Sequence, residues 1–385
     1  MEKAFNLTSP THIQIEVTES CNHSCFYCYN HWRIKDYPKK HMTYSNAKIL
    51  SQIIKKDIRP FIATITGGEP FINYSVTKLF AEELGKEEIT VGINTNLVAA
   101  KKDKLEDISK TNPNITLLTS LPSFKREVYQ QITGADTLPH YLKNLRDAID
   151  VGIGVNVNMV AHQLNKNHVY DEGKFLLEEF GINSFAVTPM IRPALRTLDG
   201  MDLEDEDNVK IFTDLIKLRE ENGMRTAILE VTPRCGVPEE LRDDAIFSRG
   251  CSAGKITSTI SYNGDLRVCA HAPFSEGSLI TENFADIWKK VEPWRDHGYM
   301  PSECRDCLEV QFCQGGCRFA GYKEGQPLDT KDYRMKEPIR LRKDTPTFSF
   351  DPALEYEVVP FRFRKEREGE YLLYCNGDFY LQMKD

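Results

Sequence analysis

Short apolar segments alternate with amphipathic stretches over roughly the first 220 residues of this 385-residue chain. The apolar segments are rich in β-branched side chains, which is typical of buried strands. They predict strands at 12–17, 61–66, 89–95, 115–120, 153–160 and 184–188, and the stretches between them predict helices that include 45–56, 74–84, 138–151 and 169–180. Six strand–helix units imply a parallel sheet with right-handed crossovers, either an open barrel or a doubly wound sheet.

Three of the eleven cysteines follow the first predicted strand in the run CNHSCFYC. Cys21, Cys25 and Cys28 stand at C-x3-C-x2-C spacing. Three thiolates can hold three irons of a [4Fe-4S] cube and leave the fourth iron open to a small molecule. The alternative is a structural zinc site with His23 or His31 as the fourth ligand.

A second motif, Gly67-Gly68-Glu69-Pro70, directly follows the second predicted strand. Two residues without Cβ let the backbone approach a ligand closely. Together, the cysteine run and the GGEP motif resemble the cluster loop and the amino-group motif of the radical S-adenosylmethionine (SAM) enzymes. The resemblance implies a [4Fe-4S] cluster and SAM as cofactors, Tyr27 beside the adenine, and a partial (β/α)6 TIM-like barrel rather than a doubly wound sheet.

Further SAM contacts are expected at the ends of the strands, where parallel barrels bind their ligands. Ser120 and Asn158 match positions at which relatives contact the ribose or the methionyl group, and 94–96 is a further candidate segment. Each is equally compatible with a strand-end cap or a turn residue. Many relatives carry an Arg that helps hold the SAM carboxylate, but this chain has Thr133 before Gly134, so another donor would be needed.

The second half of the chain carries a second cysteine pattern. Cys251 and Cys269 flank Asn263-Gly264, a strong signal for a hairpin between 256–262 and 266–269. The remaining cysteines of the pattern are Cys304, Cys307, Cys313 and Cys317, at C-x2-C-x5-C-x3-C spacing. The set resembles the SPASM domain, which binds auxiliary iron–sulfur clusters, although C-x2-C pairs also occur in zinc knuckles.

The SPASM resemblance also implies how the cysteines are shared between two auxiliary clusters. The first would use Cys251, Cys269 and Cys317 with Cys235 as the fourth ligand, and the second would use Cys304, Cys307 and Cys313. The resemblance leaves the fourth ligand of the second cluster open. The three alternatives are that Cys375 folds back to the cluster, that Asp329 or Asp332 takes the place of a cysteine ligand, or that one iron has no protein ligand.

The last stretch, about 352–385, predicts a β-hairpin around Asn376-Gly377. It is loosely similar to the first hairpin of small leader-peptide-binding domains, but a strand pair that covers a sheet edge fits it better. The predicted domains are a radical SAM barrel at 1–225, a SPASM domain at 226–335 and a C-terminal tail with the hairpin at 336–385.

Charge and hydropathy restrict the partners. The net charge of −8, without basic blocks, argues against nucleic acid. No apolar run is long enough to span a bilayer, and the N-terminus lacks a signal-peptide core, so we expect a cytoplasmic protein without membrane contact. Clustered cysteines in a reducing compartment favour metal ligation over disulfides.

The family resemblance implies reductive cleavage of SAM to a 5′-deoxyadenosyl radical that abstracts a hydrogen atom from an unactivated C–H bond. The full cysteine set is similar to maturases of ribosomally made peptides. Sulfatase maturases typically carry Asp where this chain has Ala270. We therefore predict a cross-link or other C–H functionalisation on a precursor peptide, with a flavodoxin or ferredoxin as electron donor and a separate leader-binding protein as a candidate partner.

The alternatives are sulfatase-maturase-like formylglycine formation, dehydrogenation of a small molecule, and a non-catalytic iron–sulfur electron carrier. No catalytic acid or base can be assigned from the sequence. Tyr262, Asp265 and His271 lie near the predicted hairpin, but structural roles suit them better.

Overall fold

The computed structural model describes residues 7–30, 32, 38–192, 200–323 and 326–340, and the backbone of 362–367, 370–375 and 378–384. Seven strands form the parallel part of the sheet: β1 (His12–Glu16), β2 (Ile62–Thr66), β3 (Thr90–Thr95), β4 (Thr116–Ser120), β5 (Gly154–Ala161), β6 (Ser184–Pro189) and β7 (Arg225–Ile228). Each pairs with the next in chain order, which confirms the predicted barrel-type architecture. The seventh strand was not predicted.

Seven helices connect these strands or follow them: α1 (Tyr44–Ile53), α2 (Tyr74–Gly85), α3 (Lys102–Thr111), α4 (Arg126–Thr133), α5 (Leu138–Asp150), α6 (Val169–Phe180) and α7 (Asp205–Asn222). The first predicted helix differs most, because α1 passes into a π-helical turn at Ile54–Ile58. Arg59 ends that turn in the left-handed conformation and donates its N–H to the Ile54 carbonyl.

The second cysteine segment continues the same sheet at the β1 edge. It contributes β8 (Thr257–Ile260), β9 (Asp265–Arg267) and β10 (Gly277–Ser278). β8 runs parallel to β1, and β9 pairs antiparallel with β8, so the predicted hairpin is confirmed. Gly264 in its turn has φ 90°, in the left-handed region, and a Cβ there would lie 2.7 Å from Ile280 Cγ1. The cysteines on this hairpin are thereby tied to the first barrel strand.

Short helices complete the segment: α8 (Phe284–Lys290), α9 (Glu292–Arg295), α10 (Val310–Cys313) and α11 (Arg318–Gly321). Single 3-10 turns lie at Pro70–Asn73, Lys166–His168, Arg234–Gly236, Glu239–Leu241, Ala245–Phe247 and Ser302–Cys304. Of the helices in the described residues, none combines the length and apolar character that crossing a bilayer requires.

The C-terminal stretch forms three strands rather than the two of the predicted hairpin. These are β11 (Arg362–Arg367), β12 (Glu370–Cys375) and β13 (Asp378–Lys384), paired antiparallel in that order. The predicted turn at Asn376-Gly377 lies outside the described residues.

A buried carboxylate on α6 makes the stability of the barrel depend on pH. Glu172 is fully buried, its Oε2 accepts the Phe124 N–H at 3.0 Å, and its Oε1 has no hydrogen-bond partner among the described residues. Burial raises the pKa of Glu172 to about 8. An unfolded Glu has a pKa of about 4.3, so between these values the unfolded chain loses a proton that the folded chain keeps. This contribution therefore lowers stability as pH rises from about 4 to about 8.

Glu172→Gln removes the titrating group and keeps an oxygen for Phe124. We expect the variant to gain stability over the parent chain as pH rises from 5.5 to 8, by up to a few kcal/mol. Urea unfolding at both pH values measures the difference. Glu178→Gln, on the same helix with a side chain 60% exposed, is the matched control. Equal stability differences at the two pH values would contradict the prediction.

Candidate functional site

The loop after β1 places Cys21, Cys25 and Cys28 at the C-terminal edge of the parallel strands, where barrels bind ligands. All three cysteines are partly exposed. The loop is fixed by the end of α4, because the Ser24 N–H donates to the Thr133 carbonyl at 2.7 Å. The Thr133 hydroxyl donates back to the Tyr129 carbonyl at 2.8 Å. In this chain the segment after the fourth strand therefore holds the cysteine loop.

Polar donors surround the first cysteine. Asn96 Nδ2 lies 3.5 Å from Cys21 Sγ and 2.7 Å from Asn22 Oδ1, and the His23 N–H donates to Cys21 Sγ at 3.5 Å. N–H donors to sulfur favour the thiolate, the form that binds iron. The end of the third strand, a candidate from the sequence, thus contacts the cysteine loop.

The GGEP motif packs directly against the chain that enters this loop. A Cβ on Gly67, which has φ +127°, or on Gly68 would come closer than 3.0 Å to the carbonyl oxygens of Thr18 and Ser20, respectively. The Gly68 N–H donates to Thr18 at 2.6 Å and the Glu69 N–H to Ser20 at 2.8 Å. The two glycines therefore allow the GGEP backbone to pack closely against the backbone of 18–20, which leads into the cysteine loop.

The Glu69 side chain is fully buried and joins the ends of β2 and β3. Its carboxylate accepts the Phe71 N–H at 3.0 Å, the Thr95 hydroxyl at 2.8 Å and the Asn96 N–H at 2.7 Å. Burial raises the pKa of Glu69 to about 7 although these donors act against it. An ammonium group bound nearby would favour the carboxylate form.

Ser120 and Asn158 lie opposite each other in the register of β4 and β5. Asn158 Oδ1 accepts the Thr188 hydroxyl at 2.9 Å, which links it to β6. The structure therefore brings both residues to the strand ends, while their contact with SAM stays a prediction. Tyr27 lies near the same region, with its ring centroid 5.9 Å from that of His162.

His162 was not identified from the sequence. It follows β5, is fully buried, and its ring lies 4.7 Å from the Phe26 ring in the cysteine loop. Nδ1 accepts the Leu164 N–H at 3.2 Å, so the neutral ring carries its proton on Nε2, which has no partner among the described residues. Burial lowers the pKa of His162 to about 4. A lone histidine one position beyond a strand was the only sequence signal.

The auxiliary cysteines separate into two groups. In the first, burial raises the pKa of Cys269 to about 12 and the neighbouring Cys251 thiol adds to the rise. Burial also raises the pKa of Cys317, with Glu230 and then Cys251 adding to it. Cys251 therefore lies near both Cys269 and Cys317, and their shared ligation of one cluster stays a prediction.

The second group contains Cys304, Cys307, Cys313 and also Cys235. Burial raises the pKa of Cys235, and the nearby thiols of Cys313 and Cys307 raise it further. The position of Cys235 thus differs from the sequence-based assignment to the first group. The reason is that the Arg234–Gly236 turn packs on α10, a contact between distant parts of the chain that no local pattern records.

The three residues that the sequence offered as fourth ligand of the second cluster, Asp332, Asp329 and Cys375, have different surroundings. The Asp332 carboxylate accepts the Cys317 N–H at 2.9 Å and pairs with Arg334 at 2.7 Å. Asp329 is exposed. The side chain of Cys375 lies outside the described residues.

A buried cation lies between the two groups. Arg318 is 4% exposed, and its Nε and Nη2 have no hydrogen-bond partner among the described residues. Its positive charge lowers the pKa of the Cys304 thiol, against the burial that raises it. In the sequence, Arg318 directly follows Cys317. A buried charge needs a partner of opposite sign, and an iron–sulfur cluster with thiolate ligands is anionic. The residues therefore fit iron–sulfur clusters.

Within the described residues, no three Cys, His, Asp or Glu side chains converge on the position of one metal ion. A cube of four irons places each thiolate on a different iron, so its ligands stand farther apart than those of a single ion.

The barrel and the auxiliary hairpin meet beside the cysteine loop. Tyr29, next to Cys28, stacks on His271 with ring centroids 4.2 Å apart, and His271 lies two residues after Cys269. A pocket of about 200 Å³ adjoins this junction. Its lining includes Glu16, Glu19, Trp32, Tyr262, Asp265 and Arg267. Tyr262 and Asp265 thus line a cavity.

Comparisons with known proteins agree with both cysteine motifs. Residues 15–176 match the radical SAM superfamily, and residues 251–308 match SPASM, an iron–sulfur cluster-binding domain. The GTP 3′,8-cyclase of Sulfurovum sp. (strain NBC37-1) is 29% identical over 49% of this chain and 58% of its own length, so the chain spans little more than half of that relative. A probable GTP 3′,8-cyclase of Saccharolobus islandicus (strain L.S.2.15) is 23% identical over 67% of this chain and 82% of its own length.

Two solved structures share the fold. Streptococcus suis SuiB bound to its precursor peptide SuiA has a TM-score of 0.70 at 18% identity, covering 86% of this chain and 77% of SuiB. Native anSMEcpe with bound AdoMet has a TM-score of 0.67 at 16% identity, covering 84% of this chain and 94% of anSMEcpe.

Proposed function

Because the chain carries a radical SAM domain followed by a SPASM domain, which imply [4Fe-4S] clusters and SAM, we propose that this radical SAM enzyme modifies a ribosomal precursor peptide. The proposed change is a cross-link or another functionalisation of an unactivated C–H bond. Its hydrogen atom would pass to the 5′-deoxyadenosyl group, and an auxiliary cluster held by the second set of cysteines would supply the acceptor for the remaining electron as a proton leaves.

The chain's own residues would bind and orient the reactants. Cys21, Cys25 and Cys28 would hold the first cluster, with the Asn96 amide directed at the Cys21 sulfur. When bound, that cluster and SAM supply the 5′-deoxyadenosyl radical after one electron arrives from a donor such as flavodoxin or ferredoxin. Glu69 would orient the amino group of SAM from its rigid position between β2 and β3, and the buried strand ends would exclude water.

The observation that carries the peptide proposal is the charge of the pocket between β1 and the auxiliary hairpin. Three of its lining residues are acidic, Glu16, Glu19 and Asp265, whereas the Arg267 guanidinium is paired with Glu16. Such a lining suits an amide backbone or a basic side chain. SuiB, which shares the fold, was solved with its precursor peptide bound.

The second candidate is a reaction on GTP, which the sequence relatives favour because they are GTP 3′,8-cyclases. A triphosphate carries several negative charges and needs cations for binding. Lys40 lies beside the pocket, 5.7 Å from the Tyr262 ring centroid, but the carboxylates of the lining would repel phosphate. The peptide is therefore the preferred substrate class.

The two functions are distinguished by supplying each substrate to anaerobically reconstituted protein with SAM and dithionite. One arm receives GTP and the other receives synthetic peptides encoded by short reading frames next to the gene. We expect peptide-dependent 5′-deoxyadenosine release, with a peptide product lighter by two hydrogen atoms for a cross-link. Liquid chromatography with mass spectrometry measures both products.

Asp265→Lys tests whether the acidic lining of the pocket binds the peptide. We expect it to raise KM for the peptide roughly tenfold by reversing one lining charge, while release of 5′-deoxyadenosine without substrate stays unchanged. Turnover of GTP without any turnover of peptide would contradict the proposal and favour a cyclase-like reaction.

A further inference from the structure

The second auxiliary group has a fourth thiol from a segment that precedes the SPASM match. Cys235 lies in the Arg234–Gly236 turn, after β7 and before residue 251, where that match begins. The Arg234 side chain is 2% exposed. Its guanidinium lies 5.7 Å from the Phe312 ring centroid and 3.6 Å from Glu309 Oε2. Both partners lie between Cys307 and Cys313, so the turn is packed on the segment that carries those cysteines.

The opposite side of the turn is also fixed. A Cβ on Gly236 would lie 2.7 Å from the Arg334 carbonyl oxygen, which leaves no room for the turn to shift toward 334–336. The turn that carries Cys235 is thus held between α10 and the 334–336 segment.

The segment that carries the other three cysteines is joined by backbone hydrogen bonds. The Cys307 N–H donates to the Cys304 carbonyl at 3.1 Å, and the Cys313 N–H donates to the Glu309 carbonyl at 3.0 Å. The turn that holds Cys235 therefore packs on a compact segment that already carries three thiols.

We propose that Cys235 is the fourth ligand of the iron–sulfur cluster held by Cys304, Cys307 and Cys313. On binding iron, the Cys235 thiol gives up its proton. The other cluster then has Cys251, Cys269 and Cys317 as its thiolates among the described residues. The inference concerns cluster ligation, so it does not depend on whether the substrate is a peptide.

Cys235→Ala tests the proposal on the full-length protein after anaerobic reconstitution, with iron and sulfide analysis and electron paramagnetic resonance. The parent chain should hold about twelve irons. The variant should hold about eight, or about eleven with the signal of a three-iron cluster. Cys375→Ala is the control with the same chemical change, and it should retain all the iron.

Double variants identify which cluster Cys235 serves. If it ligates the second cluster, Cys235→Ala/Cys304→Ala should lose no more iron than Cys304→Ala alone, whereas Cys235→Ala/Cys251→Ala should lose iron from both auxiliary clusters. Cys235→Ser, with an oxygen ligand of similar size, should restore the fourth iron and shift the resonance signal. If Cys235 had only a structural role, Cys235→Ser would hold all the iron without any shift of the resonance signal.

Two results would overturn the proposal. One is loss of a cluster in Cys375→Ala with full iron in Cys235→Ala. The other is that Cys235→Ala/Cys251→Ala loses no more iron than Cys251→Ala, which would place Cys235 on the first auxiliary cluster. Circular dichroism of each variant verifies that the chain has folded, and a variant that fails this check is replaced by its Ser counterpart.

Discussion

Replacing Cys21, Cys25 and Cys28 together with Ala is expected to abolish the release of 5′-deoxyadenosine from SAM, a loss of at least about a thousandfold. The three thiols lie on one loop at the strand ends, next to the GGEP motif that would orient SAM. Without them the loop has no thiolates to hold the cluster that would pass an electron to SAM. The loss should be complete because the electron transfer itself is removed.

The same triple variant should lose about four irons and keep the auxiliary clusters, whose ligands lie on other segments. The experiment measures iron and 5′-deoxyadenosine on the same reconstituted sample, with SAM and dithionite in excess. Cys375→Ala serves as the control and should retain both. Release of 5′-deoxyadenosine from the triple variant at the parent rate would contradict the assignment.

Arg267→Met is expected to destabilise the protein by about 3–5 kcal/mol. Arg267 and Glu16 are each 3% exposed and form an ion pair between β9 of the auxiliary hairpin and β1 of the barrel. Arg267 Nη1 also donates to the carbonyls of Ala270 and Ala272, at 3.2 and 2.8 Å. Removing the cation leaves a carboxylate buried without its partner, and the segment after Cys269 loses two of its hydrogen bonds.

The loss should grow with pH. Burial raises the pKa of Glu16, and Arg267 opposes that rise. Without Arg267 the folded-state pKa rises further above the unfolded value, so folding retains a proton that the unfolded chain releases, and stability falls as pH increases. Urea unfolding at pH 5.5 and at pH 8 should therefore show the larger difference at pH 8.

Two further variants make the test specific. Glu16→Gln/Arg267→Met removes both charges and should recover part of the stability. Lys289→Met, in an exposed pair with Asp286 at 3.5 Å and with its side chain 78% exposed, should change stability by less than about 1 kcal/mol. An Arg267→Met effect as small as that of Lys289→Met would show that the pair does not hold the hairpin to the barrel.

The barrel was predictable because its signals are local. Each of the six predicted strands lies within one residue of the described bounds at either end, since alternation of apolar residues reports which face of a strand is buried. The seventh strand, Arg225–Ile228, is only four residues long and carries no such alternation. The π-turn after α1 and the division of the residues before Asn376-Gly377 into β11 and β12 were missed because propensity defines the ends of elements weakly.

The candidate site was predictable where its residues form motifs. The three cysteines, GGEP and the strand-end residues Ser120 and Asn158 were found from spacing and from position after strands, and the structure places them at one edge of the sheet. His162 and Arg318 were not found, because a lone buried histidine and a buried arginine look in sequence like any other polar residue. Their nitrogens, which have no hydrogen-bond partner in the part of the chain that the structure describes, become visible only once burial is known.

The sequence by itself determined the strand and helix order, the cysteine loop, the GGEP motif and the auxiliary hairpin, because each depends on residues close together along the chain. Only the tertiary structure decided that the hairpin extends the barrel sheet beside β1, that Glu16 pairs with Arg267, and that Cys235 lies with Cys307 and Cys313. These are contacts between residues separated by some 70 to 250 positions. Such contacts are set by the packing of whole elements, to which local periodicity and motif spacing are blind.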